Sequence, residues 1–159
     1  MQKTILKKIA TPKKSIVKKN PDPVTLWDSK QKAIDLAKAI LDKKGEEISL
    51  LCVSELSTLT DYYLICSANS EPHIWAIVDA VETALKKHKL HPLGIEGGKI
   101  APWVLVDCSD VIVHIFKEET RKMYDLDGLW ADAKRVSLHD ENIEQAVVSP
   151  PKTRKKKAL

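Results

Sequence analysis

No run of about 18 consecutive apolar residues occurs anywhere in the chain, so no membrane-spanning helix is expected. Cysteine is scarce and odd in number. Cys52, Cys66 and Cys108 lie far apart in apolar, strand-like runs, with neither a Cys-x-x-Cys spacing nor a neighbouring histidine. A metal-binding or nucleophilic thiol needs such a setting, so these read as reduced, buried thiols of a cytoplasmic protein. The chain also lacks a Gly-x-Ser-x-Gly elbow, a P-loop and a Gly-x-Gly-x-x-Gly turn, the common nucleophile and phosphate sites. Residues Met1 to Lys19 contain no arginine and no long apolar segment and are broken by Pro12, which reads as a cytosolic extension rather than a targeting peptide.

What is present is charge, unevenly divided. Residues 1–25 hold seven lysines against Asp22, a balance of +6, and residues 149–159 hold Lys152, Arg154, Lys155, Lys156 and Lys157 with no acid, a balance of +5. Against +4 for the whole chain, the stretch between them carries −7. An apolar content of 43% over 159 residues suits one domain with a real core. The expected organisation is a flexible basic tail over 1–25, a folded domain over 26–136, and a flexible tail over 137–159 that is basic at its end. Pro12, Pro21, Pro23, Pro150 and Pro151 and the sparse apolar residues of the tails support this. Such tails suit attraction to RNA phosphates as well as they suit solubility.

Within the domain, apolar residues from Trp27 to Lys44 recur at helical spacing, with Asp28 or Ser29 to cap the start and Gly45 to end it. Ile48 to Val53 and Tyr62 to Ser67 read as strands around a turn-like 57–61 segment. Ser70, Glu71 and Pro72 then mark the start of a second helix whose buried stripe is Ile74, Ile77, Val78, Val81, Ala84 and Leu85. Leu93 to Glu96 is a short strand before Gly97-Gly98. Trp103 to Cys108 and Val111 to Phe116 form a hairpin about Ser109-Asp110, Glu118 to Tyr124 returns to helix, and Leu126 to Trp130 closes the domain. The order predicts an α/β fold, a mixed five-stranded sheet with flanking helices.

Gly97-Gly98 followed by Asp107 and Asp110 suggests a glycine turn and strand carboxylates of a metal-dependent enzyme. The spacing argues against it, because two carboxylates share a strand face at i and i+2, and these are three apart across a turn. His88 and His91 form a His-x-x-His pair at a helix end without further ligands, and His73 in the first turn of the second helix is expected to pack or bond locally. No catalytic, cofactor or metal residue is therefore assigned.

The segment from Trp103 to Trp130 concentrates the aromatic and charged residues. Phe116 and Trp130 are expected to close the core. Trp103 and Tyr124, among Asp107, Asp110, Asp125 and Asp127, are expected instead to anchor a basic protein partner, rings supplying area and carboxylates supplying charge.

The series Trp103-Val104-Leu105-Val106-Asp107, Asp110-Val111-Ile112-Val113-His114-Ile115-Phe116, Tyr124-Asp125-Leu126 and Leu129-Trp130 resembles the Iojap/RsfS ribosomal silencing factor family. Asp61-Tyr62-Tyr63, Asn69-Ser70-x-x-His73, Pro92-Leu93 and Glu96-Gly97 resemble it too, so the likeness covers residues 29–136. It implies a sheet related in shape to nucleotidyltransferases but without their catalytic residues, and hence not an enzyme. It further implies binding to the fourteenth protein of the large ribosomal subunit, steric blocking of subunit joining, and repression of translation. The positions carried over to that contact are Trp103, Asp107, Asp110, His114, Tyr124, Asp125 and Leu126. Departures are Ser109 and Ala68 where the family favours glycine, and Pro72 at the second helix start. The tails lie outside the likeness and are expected to touch ribosomal RNA. An exposed aromatic patch would serve a homodimer of the free protein as readily. The rival readings are an RNA-binding assembly adaptor acting through its tails and a nucleotidyltransferase-like enzyme.

Overall fold

The fold is that of a computed structural model describing residues 27–139. The expected tail over 1–25, and the part of the C-terminal tail from residue 140 onward, lie outside the described residues.

The first helix, α1 (Ser29–Asp42), buries Ala33, Ile34, Leu36, Ala37 and Ile40, a stripe at three- and four-residue spacing. Of the two capping candidates Asp28 takes the role, accepting from the Gln31 N–H at 3.3 Å. At the far end Lys44, at φ 61°, occupies the left-handed position expected of Gly45. Gly45 is needed for space instead, since a Cβ there would stand 2.3 Å from Ile40 Cγ2.

Strand β1 (Glu46–Cys52) and strand β2 (Tyr62–Ala68) follow, then α2 (Glu71–Lys87). Ser70 caps α2 by accepting from the His73 N–H at 3.2 Å, with Pro72 in the first turn and Lys86 and Lys87 in the last, as the sequence predicts. Then come β3 (Gly94–Glu96), β4 (Trp103–Asp107), β5 (Val111–Lys117), α3 (Glu118–Tyr124), the single-turn α4 (Leu126–Leu129) and β6 (Lys134–Arg135).

The sheet order is β3-β4-β5-β2-β1-β6, with β2 and β5 parallel at the centre and every other pair antiparallel. It has six strands, not the five expected. The extra strand β6 pairs Lys134 with Cys52 and Arg135 with Leu51. Two exposed basic residues carry no alternation of apolar and polar side chains, so the sequence gives no mark of it. The packed unit also runs past the expected boundary at 136, because Leu138 is 2% exposed within the core.

Period-two alternation sends neighbouring residues to opposite layers. Ile48, Leu50, Leu64, Cys66, Val104, Val106, Val113 and Ile115 pack beneath α1 and α2. Leu51, Tyr63, Ile65, Trp103, Leu105, Ile112 and Phe116 face the other way, closed over by Val53, Leu126 and Ala133 with Leu59, Tyr124 and Trp130 at the margin. This second layer holds most of the residues assigned from the sequence to partner binding.

Candidate functional site

Trp103 and Phe116 are register partners on β4 and β5, and their rings stack at 4.7 Å. Tyr124 packs on Trp103 at 4.9 Å, and Tyr63 lies edge-on to His114 at 5.3 Å and against Trp130 at 5.2 Å. The Trp103 indole N–H donates to His114 Nδ1 at 3.2 Å, inside the layer. Burial pushes the His114 pKa down to about 3, against a weak opposing pull from Asp127. The ring is therefore neutral near pH 7, and since Nδ1 accepts, its proton sits on Nε2.

The expectation for Trp103 is corrected. It is 1% exposed, because it occupies the inward face of β4 and Tyr124 covers it. His114 and Leu126, at 0% and 1%, are likewise interior. These three support a surface from beneath. Tyr124 is half-buried, as is Trp130, while Phe116 closes the core as expected.

The cover begins where β5 runs directly into α3. Its fastening is Arg121, buried, which the sequence reading did not single out. Arg121 donates to the Glu47 carbonyl at 2.5 Å, to Ser67 Oγ at 2.9 Å, to Ser49 Oγ at 3.2 Å and to Asp127 at 3.3 Å. One guanidinium thus ties α3 to β1, β2 and α4, a use of its fixed fork of donors. Asp125, at φ 43°, ends α3 and caps α4, accepting from the Gly128 N–H at 3.0 Å. Its backbone turns the corner while its carboxylate remains exposed.

On the outside of this cover stand Met123, 73% exposed, and Leu129, 66% exposed, in the same short segment as the exposed carboxylates of Asp125 and Asp132. The sequence reading missed both as contact candidates. Met123 directly precedes Tyr124, which carried the aromatic signal, and Leu129 was read as part of the closing segment and of the family series but not as a contact.

Asp107 and Asp110 do not join this group. They lie at the hairpin end of β4 and β5, four residues along the strand from Trp103, or about 13 Å. Asp107 is 7% exposed and accepts from the Ser109 N–H at 3.0 Å. Asp110 accepts from Lys32 Nζ and from Ser29 Oγ, each at 2.5 Å, fastening the hairpin to α1. Asp110 finds its neighbour carboxylate in Asp61, which also faces Ser29, at 3.3 Å. Ser109, where the family favours glycine, does sit at φ 75°, so the glycine conformation is kept without the glycine.

His73 bonds locally, Nδ1 accepting from the Asn69 N–H at 3.1 Å and Nε2 facing the Lys43 carbonyl at 2.7 Å. His88 stacks on Trp27 at 3.6 Å. Burial pushes the Cys66 and Cys108 thiols up to about 12, which keeps them protonated, whereas Cys52 is half-exposed. Among the described residues no group of three His, Cys, Asp or Glu side chains could hold a metal ion.

A profile described as "Ribosomal silencing factor during starvation" matches residues 27–158, four fifths of the chain and the whole of the described fold. The chain belongs to this ribosomal silencing factor family. It is similar to the ribosomal silencing factor RsfS of Halalkalibacterium halodurans, 37% identical over 69% of this chain and 95% of that one. It is also similar to the mouse protein named mitochondrial assembly of ribosomal large subunit protein 1, 30% identical over 61% of this chain and 44% of that one. A crystal structure of a Chromobacterium violaceum protein matches at a TM-score of 0.63 and 29% identity, over 69% of this chain and 91% of that one. The α/β architecture is thereby that of a solved relative. Of the series that carries the family likeness, Trp103, His114, Phe116, Tyr124, Leu126 and Trp130 fall in the aromatic layer and its cover, whereas Ser70 and His73 fall at the start of α2.

Proposed function

We propose that this protein silences ribosomes by binding the large subunit through its fourteenth protein and sterically excluding the small subunit. Membership of the ribosomal silencing factor family supports the silencing role, and the mouse relative's name points to the large subunit. The observation that carries the docking face is the exposed pair Met123 and Leu129, with Asp125 and Asp132 in the same cover, mounted on a close-packed aromatic layer.

Apolar residues that a soluble fold leaves exposed beside carboxylates suit a partner surface mixing apolar and basic groups. Rigid support lowers the entropy lost on docking, which gives Trp103, His114 and Leu126 a part in binding without contact. Tyr124 and Asp125 remain direct contacts, while Asp107 and Asp110 set the hairpin at the sheet's other end. Silencing then requires no chemistry, only an occupied surface.

The test is sedimentation of purified subunits with the full chain and with Met123→Asp and Leu129→Asp, followed through reassociation. We expect wild type to travel with large subunits and suppress joining. The variants should bind at least tenfold more weakly while melting normally, because a carboxylate replaces apolar area at the interface. Undiminished binding by both variants would remove the cover as the docking face. Unaffected joining by wild type would remove steric silencing.

A further inference from the structure

On the sheet face away from the cover, the first turn of α2 and the loop before β4 frame a groove of about 390 Å³ lined by Glu71, Pro72, Trp75 and Lys99. Glu71 turns its carboxylate to Lys117 Nζ at 2.8 Å, so the rings of Pro72 and Trp75 set an almost wholly apolar character. The helix stripe that carries Trp75 continues through Asp79 and Glu82, four and seven residues on. Asp79 is exposed and Glu82 half-buried, and neither carboxylate enters an ion pair among the described residues. An aromatic and proline groove thus runs into two carboxylates.

The chain itself holds a segment of matching chemistry. Ser149-Pro150-Pro151-Lys152-Thr153-Arg154 places two prolines ahead of two cations. Consecutive prolines favour the polyproline II helix, which docks on aromatic-lined grooves at little entropic cost. At about 3.1 Å per residue Arg154 stands about 9 Å beyond Pro151, and Glu82 stands about 10 Å beyond Trp75 along α2. Ring and charge are therefore equally spaced on both partners. Reach is sufficient too. Strand β6 runs antiparallel to β1, with Val136 bonded to Leu50 and Leu138 buried on the α1 and α2 side, so the chain leaves toward Glu46. Glu46 pairs with Ser67 and Ser67 with Phe116, which is the end of the sheet where Lys117 meets Glu71. Three strand spacings, about 14 Å, separate β6 from β5, and residues 140–149 can span about 33 Å. Pro21 and Pro23 are split by Asp22 and precede α1 at the opposite end, where Ser29 bonds Asp110. The family profile, moreover, continues to residue 158.

We propose that the C-terminal segment 149–154 docks along α2 of its own chain, Pro150 and Pro151 against Pro72 and Trp75, and Lys152 and Arg154 beside Asp79 and Glu82. Lys86 and Lys87 in the last turn of α2 repel further cations, so Lys155, Lys156 and Lys157 stay available to phosphates. The contact holds the basic tail on the sheet face opposite Met123 and Leu129 and keeps it off the cover. It does not depend on which partner the cover meets.

The deciding experiment compares nitrogen–proton correlation spectra of the full chain, of the full chain carrying Pro150→Ser with Pro151→Ser, and of a chain ending at residue 148, each at several dilutions. Trp75→Phe identifies the Trp75 indole signal. Both tail changes are expected to move that signal and the amides from Ile74 to Glu82 more than the indole signals of Trp27, Trp103 and Trp130, and by the same amount at every dilution. In the full chain carrying Asp79→Lys with Glu82→Lys, removing the tail should move the Trp75 signal far less. Unmoved α2 signals overturn the proposal, as do shifts centred on α1 or on the cover. A shift that fades on dilution overturns it equally, since the docked tail would then belong to a second copy.

Discussion

At His114, full burial turns an ordinary imidazole into a group that resists protonation down to about pH 3. The unfolded chain takes the proton near pH 6.5, the native chain only near 3, so between those values the unfolded state binds more protons and stability falls as pH falls. Urea titrations from pH 7 to 4 should show a loss approaching about 1.4 kcal/mol per pH unit below 6 from this group, and His114→Phe should flatten that part of the slope. An equal slope in the variant would mean that the imidazole is protonated in the native state. Trp103 carries a related lesson. Its stack with Phe116 and Tyr124 makes Trp103→Ala a core deletion, expected to cost about 3–5 kcal/mol by equilibrium unfolding. Loss of ribosome binding by that variant would therefore reflect unfolding, and a loss below about 1 kcal/mol would show the ring to be dispensable to the core.

The helices and strands were largely legible in the sequence, since each rests on local patterning. The capping of α2 is the plainest case: Ser70→Ala removes the acceptor for the His73 N–H and should lower stability by about 1 kcal/mol, read as a shifted urea midpoint with unchanged slope. An unmoved midpoint would place the cap's work elsewhere. The α2 stripe and the β4–β5 hairpin also follow from period alone. The strand β6 does not, because two charged residues become a strand only when an edge of β1 is already there to receive them. Arg121 was equally invisible, for three of its four acceptors come from Glu47, Ser49 and Ser67, distant in sequence and brought together only by the folded sheet.

For the whole molecule, the charge division gives a further expectation. Tails carrying +6 and +5 that contact ribosomal RNA would release counterions on binding, so deleting residues 1–25 and 149–159 should reduce the salt dependence of large-subunit association. An unchanged slope would confine recognition to the folded domain and its cover. The same measurement separates the silencing reading from a tail-driven RNA adaptor, since an adaptor without tails would lose its affinity altogether.

The sequence by itself determined the α/β class, most element boundaries and the family, and it marked the segment proposed for docking, because periodicity, caps and signature motifs are written in neighbouring residues. Only the tertiary structure decided which side of that segment is exposed. An aromatic residue reads alike whether it anchors an interface or a core, and its exposure depends on what packs above it. The cover folded over β4 and β5 took Trp103 and His114 inside and left Met123 and Leu129 out, while the β4–β5 hairpin holds Asp110 at the opposite end of the strands from Trp103.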